Sequence, residues 1–377
     1  MSDAPVLFSE ITTAGGHRFG RATLNAPGSL NALSLPMVDL LDTQLRAWAT
    51  DPQIAGVWLD AVGDKAFCAG GDVVGLYHAI KATPPGQVPT EAAAFFECEY
   101  RLDHLIHTYP KPFVCWGHGI VMGGGIGLMA GASHRVATLK TRLAMPEITI
   151  GLYPDVGGSW FLARLPGGLG EFLALTGASL NAADALAVEL ADFALRHEDQ
   201  GTVLHAIEAA AWQGDAGADR AALSRLLQAK ALTPDALPAS PVRQHLGRIR
   251  ELMGRHQRVS DLAVGLSALS QDPDPWLAQA GSAFAKGSPS SAQLALALQR
   301  RLRHASLAEV FRLEWQASVG CCMHPDFPEG VRALLVDKDK QPRWQPATLD
   351  ALDEAGWHAR VDAHLQPHGV NPLADLR

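Results

Sequence analysis

The chain has 377 residues, 47% hydrophobic and 19% charged, which excludes a disordered protein and implies two domains, or one large domain with a helical appendage. A formal net charge of −8 argues against broad nucleic-acid binding, while leaving room for one local basic pocket that holds a phosphate-bearing ligand. Cys68, Cys98, Cys115, Cys321 and Cys322 have neither a metal-site nor a disulfide-framework spacing, so free thiols in a reducing compartment are expected, the vicinal pair being two small buried side chains. In chain order, the opening stretch "MSDAPVLFSEITTAGG" has no basic segment and no apolar core of a targeting signal. "RFGRATLN" reads as a strand. "SLPMVDLLDTQLRAWATD" spaces its apolar residues as a helix does, after a serine cap. "AGVWLDAV" reads as a buried strand and "DVVGLYHAI" as a helix opened by glycines. The Pro-rich loop "KATPPGQVPTEAA" separates it from the helix "EYRLDHLIHTY". "KPFVCWGHGIV" and "HRVATL" are expected as two more strands.

This alternation predicts an α/β layer architecture. After about residue 200 the texture changes to Ala, Leu, Arg and Gln, as in "AQLALALQRRLRHASLAEVFRLEWQASV", which has amphipathic helical spacing. The expected division is residues 1–200 as the α/β part and 201–377 as a helical part. The longest glycine-rich apolar run, "GIVMGGGIGLMAGA", falls short of a membrane span, so a cytoplasmic protein with neither membrane nor nucleic-acid partner is expected.

Three stretches carry chemistry. In "KAFCAGGD", residues 65–72, a strand ends, glycines allow close backbone approach to a ligand, and Asp72 opens a helix, either as its N-cap alone or beside a binding site. "GHGIVMGGGIGL", residues 117–128, repeats that strand–glycine–helix plan. It contains Gly125-Ile126-Gly127-Leu128-Met129-Ala130, which fits a dinucleotide fingerprint, but far from the first strand–helix unit and with Glu147 in a helix start instead of a strand end. Two glycine-opened helix N-termini could instead direct one N–H each at a single oxygen, forming an oxyanion hole for an enolate or a tetrahedral adduct. In "MPEITIGLYPDVGG", residues 145–158, Glu147 and Asp155 flank a glycine turn amid apolar residues. Pro146 at a helix N1 position and Asp155 as a helix cap would explain them structurally; paired carboxylates in differing environments would serve acid–base or nucleophilic work. His104 and His107 read as one helix face, and no metal-ligand spacing is present, so no metal is expected.

Together "LNAPGSLNALS", "KAFCAGGD", "GHGIVMGGGIGL", "MPEITIGLYPDVGGSWFLARLPGGLGEFLALTG" and "EWQASVGCCMHPDFPEGVRALLVDKDKQPRWQP" resemble the crotonase (enoyl-CoA hydratase/isomerase) superfamily, most closely its 3-hydroxyisobutyryl-CoA hydrolase branch. The resemblance implies a crotonase-like spiral β/β/α core that binds an acyl-CoA, with a helical C-terminal region. It implies an oxyanion hole from the N–H groups of Gly71 and Gly124, catalytic roles for Glu147 and Asp155, and a substrate pocket that includes Glu99, Gly124, Glu147 and Asp155. Ser29, Leu30 and Ala69 match positions along the CoA channel; Lys65, with Lys338, Lys340 and Arg343, is a candidate for the CoA phosphates as a basic side chain. Hydratases of this family place a second glutamate just after the glycine triplet, where this chain has Gly127, which disfavours hydration and leaves thioester hydrolysis. The implied reaction is hydrolysis of 3-hydroxyisobutyryl-CoA in valine degradation, with 3-hydroxypropionyl-CoA also compatible and Glu147 either nucleophile or general base. No cofactor is implied beyond the CoA of the substrate, and a homo-oligomer is left open. The alternatives are an enoyl-CoA hydratase/isomerase and a catalytically silent CoA-binding protein.

Overall fold

A computed structural model describes residues 4–254 and 258–377. Along the chain run β1 (Val6–Thr12), β2 (Arg18–Leu24), α1 (Leu35–Thr50), β3 (Ile54–Ala61), β4 (Ala66–Cys68), α2 (Val73–Ala82) and α3 (Thr90–His107). Next come β5 (Phe113–Gly117), β6 (Ile120–Met122), α4 (Gly124–Ala130), β7 (His134–Thr138), β8 (Arg142–Ala144), α5 (Gly158–Phe161), α6 (Leu169–Thr176), α7 (Ala182–Ala187) and β9 (Phe193–Leu195). Helices then follow one another: α8 (Gln200–Ala209), α9 (Ala216–Gln228), α10 (Pro241–Met253), α11 (Val259–Ala268) and α12 (Pro275–Lys286). The last are α13 (Pro289–Leu302), α14 (Leu307–Met323), α15 (Asp326–Val331) and α16 (Glu354–His364).

Residue contacts gather the chain into two compact units, each drawn from three separate stretches. The first takes Met1–Gly71, Arg101–Leu143 and Leu180–Arg243; the second takes Asp72–Tyr100, Ala144–Ser179 and Gln244–Arg377.

In the first unit a six-stranded sheet has the order β1-β2-β3-β5-β7-β9. β1 and β2 form an antiparallel hairpin, and the other neighbours are parallel. Nearly every residue of β3 and all of β5 are buried, as parallel strands covered on both faces must be. Trp58 and Trp116 stack with centroids 5.4 Å apart, and Val203, Ile207, Leu223 and Leu227 from α8 and α9 join the same core. The stretch expected as one strand, "KPFVCWGHGIV", is two. Gly119 turns the chain at a φ of 59° between β5 and β6, and a Cβ there would lie 2.3 Å from the Lys65 carbonyl oxygen. β6 joins a second sheet of order β4-β6-β8.

The second unit is helical. Ser288 caps α13 by accepting the Ser291 N–H at 3.0 Å and donates to Asp326 Oδ2 at 2.6 Å. A reciprocal capping box of Ser306 and Glu309 starts α14. Trp315 of α14 donates its indole N–H to the Ala93 carbonyl of α3 at 3.1 Å. Ser34 stands at the N-cap of α1 as expected from sequence, but its hydroxyl makes no capping bond.

Candidate active site

The first unit builds two glycine turns side by side. β4 and β6 pair in parallel, Cys68 opposite Val121, so the turns that follow them emerge at the same edge. After β4, Gly70 takes a φ of 109° and its carbonyl accepts the Leu33 N–H at 2.8 Å, ahead of Gly71. Asp72 next in the chain caps α2, accepting the Gly75 N–H at 3.0 Å, as the structural reading of that residue required. After β6, Gly124 is the first residue of α4, so its N–H has no acceptor within the helix. The glycine at 125 has a steric reason: a Cβ there would lie 2.4 Å from the Cys68 carbonyl oxygen. That close approach of α4 to β4 accounts for the glycine at 125 without a dinucleotide.

Beside these turns the first unit has a cleft of about 300 Å³ whose lining includes Leu30, Asn31, Lys65 and Ala66. Ser29 ends the short 3₁₀ turn just before Leu30, and Ala69 donates its N–H to the Leu30 carbonyl at 3.1 Å. The candidate CoA-binding residues therefore lie in one neighbourhood. Sequence reading passed over Asn31, which holds it together. Its buried amide accepts the Ala26 N–H at 2.8 Å and donates to the carbonyls of Val62 at 3.1 Å and Ala66 at 3.0 Å. Lys338 and Lys340 are exposed in the second unit, and the Arg343 N–H donates to Glu329 Oε1.

The second unit gathers the acids. Glu147, Asp155 and Glu99 are all buried, each at most 5% exposed. Glu147 opens a 3₁₀ turn, Glu147–Ile150, with Pro146 at the N-cap, not at N1. Asp155 caps no helix: the N-cap of α5 is Gly157, and Asp155 Oδ2 instead accepts the Tyr100 hydroxyl at 2.6 Å. Among the described residues no donor reaches Glu147 Oε2 or Glu99 Oε1. A buried acceptor left unpaired costs free energy, on the order of 1–3 kcal/mol, so these two oxygens suit the donors of a ligand. Burial raises Glu147 well above the usual carboxylate range, and the charges of Asp155 and Glu99 raise it further. Glu99 is raised by burial and by Asp155. Burial lifts Asp155 to about 6, against the lowering effect of the Tyr100 hydroxyl.

Four residues of this cluster were not singled out from sequence: Tyr100, Tyr153, Glu314 and Ser318. Tyr100 and Tyr153 both meet the Ser318 hydroxyl, at 2.7 and 2.9 Å. Glu314 accepts the N–H groups of Gly157 at 2.8 Å and Ser159 at 2.9 Å. The available signal was "EWQASVG", which sets Glu314 and Ser318 four residues apart on one face of α14.

A mostly parallel sheet with paired glycine turns in one unit and a buried carboxylate cluster in the other fit the crotonase-like architecture expected from sequence, and comparison with known proteins agrees. A family model described as enoyl-CoA hydratase/isomerase matches residues 19–361, and the chain belongs to that crotonase family. Among curated relatives it is 38% identical, over 94% of this chain and 88% of the relative, to the mitochondrial 3-hydroxyisobutyryl-CoA hydrolase of Gallus gallus. It is 35% identical to the Homo sapiens enzyme of that name, over 89% of this chain and 84% of the relative. Among solved structures, a carnitinyl-CoA dehydratase from Mycobacterium thermoresistibile superposes with a TM-score of 0.83 at 36% identity, covering 98% of both chains. An enoyl-CoA hydratase from Rhodobacter sphaeroides does so at 0.81 and 33%, covering 96% of this chain and 97% of that one. No helix among the described residues is long and apolar enough to cross a membrane.

Proposed function

We propose that this protein hydrolyses 3-hydroxyisobutyryl-CoA to 3-hydroxyisobutyrate and CoA. One observation carries the reading: among the described residues Glu147 is a buried carboxylate with an unclaimed oxygen, its pKa raised by burial and by the Asp155 charge, in a chain that has Gly127 where the resemblance places a second hydratase glutamate. Curated hydrolases at 34–38% identity support it.

In this reading the N–H groups of Gly71 and Gly124 receive the thioester oxygen and stabilise the charge it gains as the carbonyl becomes tetrahedral. Ionised Glu147 then acts in one of two ways. Either it attacks the carbonyl carbon, the C–S bond breaks, CoA leaves as thiolate, and water opens the resulting anhydride. Or it takes a proton from a water molecule that attacks directly. Both routes consume one water and end with the hydroxy acid and CoA thiol. Glu99 accepts the substrate hydroxyl, and Asp155 orients that hydroxyl or handles protons. Ser29, Leu30, Lys65 and Ala69 hold CoA, within an acyl-CoA-binding region proposed over residues 1–200. A single turnover in ¹⁸O-water separates the routes, since label in the Glu147 carboxylate requires the anhydride.

The alternative reading, hydration of an enoyl-CoA, has only the name of one superposing structure behind it, and the curated relatives weigh against it. Thiol release from 3-hydroxyisobutyryl-CoA, measured beside crotonyl-CoA hydration, decides. Release with negligible hydration supports the hydrolase; hydration without release overturns it. Equal rates with and without EDTA or NAD would fit a reaction needing no cofactor beyond the substrate's own CoA. Fractionation tests the proposed cytoplasmic location, and growth on valine after gene deletion tests the pathway. Light scattering tests for a homo-oligomer.

A further inference from the structure

The second unit holds a buried acid that the proposed reaction does not use. Glu314 lies in the middle of α14 and is fully buried. Its two carboxylate oxygens accept the Gly157 and Ser159 N–H groups, the first free donors of α5, whose own N-cap makes no side-chain bond. Its backbone carbonyl accepts the Tyr153 hydroxyl at 2.7 Å. Asp155 sits between those attachments in sequence, bracketed by Tyr153 on one side and Gly157 on the other. Ser318, one turn along α14, touches the hydroxyls of Tyr153 and Tyr100, and Tyr100 donates to Asp155.

The bracketed turn is strained. Val156 has a φ of 49°, a region that β-branched side chains avoid, and it persists only where surrounding contacts overdetermine it. Glu314 supplies those contacts. An apolar residue would fill this interior without the desolvation that pushes Glu314 up to about 8. A carboxylate there meets a requirement for two acceptors in fixed places.

We propose that Glu314 is a positioning residue for the hydrolysis: with Ser318 it clamps the strained turn that presents Asp155. The inference rests on the hydrolase reading and on the role given there to Asp155. A purely structural cap would act on stability independently of Asp155, whereas a positioning residue acts through it. The test is a double-mutant cycle on the full chain with 3-hydroxyisobutyryl-CoA. Glu314→Gln keeps the shape but points an NH₂ at one of the two N–H donors. It should lower kcat about 10- to 100-fold, with KM changed less than about threefold. In the Asp155→Asn background the same substitution should cost less than about twofold. An undiminished kcat, or the same loss on both backgrounds, overturns the proposal. Should Glu314→Gln fail to fold, Ser318→Ala serves in its place, with a smaller kcat loss and the same non-additivity. Should the wild type release no thiol, the hydrolase reading falls by itself, and a crystal structure of the variant decides this inference. Val156 leaving the positive-φ region with loss of the Tyr100–Asp155 bond supports the clamp; an unchanged turn overturns it.

Discussion

A carboxylate that acts as nucleophile or base must first lose its proton, and the surroundings of Glu147 oppose that through burial and through the charges of Asp155 and Glu99. The acid limb of kcat/KM should therefore lie above the pKa of about 4.3 usual for glutamate. Glu99→Gln removes one of the opposing charges and should move that limb to lower pH, read as the pH dependence of thiol release. Glu147→Gln should cost about 10³-fold or more in kcat under the same assay. Tyr100→Phe removes the bond that lowers Asp155, so the Asp155 carboxyl should titrate above its present value of about 6, as ¹³C-NMR of the labelled side chain would show. The two acids at 147 and 155 were legible in sequence because acids in an apolar, glycine-broken stretch stand out locally. Their partners were not: Tyr100 is 55 residues from Asp155, and Glu314 is 157 residues from Gly157. Side-chain pairs at such separations leave no periodic trace.

Elements show where local signals suffice. The capping box of α14 closes within four residues, Glu309 Oε2 accepting the Ser306 N–H at 2.8 Å. Ser306→Ala should therefore cost about 1 kcal/mol of stability while leaving kcat unchanged, measured by urea unfolding beside the thiol assay. Gly125→Ala is a different matter, because the added methyl meets backbone that cannot swing aside. It should destabilise by about 1–3 kcal/mol. β1 escaped sequence reading because "VLFSEIT" is partly or fully exposed at all but Val6 and alternates weakly; its partner strand defines it. Pro146 and Asp155 were expected at helix starts, yet the helices there are a single 3₁₀ turn and a four-residue α5. In such short helices, distant partners settle which residue caps.

For the whole molecule, buried titratable groups set how stability varies with pH. Glu314 is pushed from 4.5 to about 8 and Asp155 from 3.8 to about 6. As pH rises through those intervals the unfolded chain gives up protons that the folded chain keeps, so folding weakens. His107, lowered to about 4, and His364, lowered to about 3, act in the opposite sense. Below pH 6.5 the unfolded chain takes up protons that the fold refuses, so stability falls on acidification. The two effects offset each other between about pH 4 and 6. Between pH 6.5 and 8 the Glu314 effect stands unopposed by these histidines, and stability should fall by roughly 1 kcal/mol per pH unit. Urea unfolding at pH 6.5 and 8.0 measures it, and a flat profile would contradict the upward shift of Glu314.

What the sequence determined by itself is whatever a short window contains: strand–helix alternation, glycines that open α2 and α4, a carboxylate pair against apolar neighbours, and the family motifs. Those features act through backbone sterics and local hydrogen bonds, which need no distant partner. The tertiary structure alone decided that each compact unit draws on three separate stretches of chain. It also decided that Asn31 ties Leu30 to the Lys65 loop, and that α14 brings Glu314 and Ser318 to the turn around Asp155. A buried hydrogen bond is specified by geometry between elements, and one-dimensional order carries no record of which elements will meet.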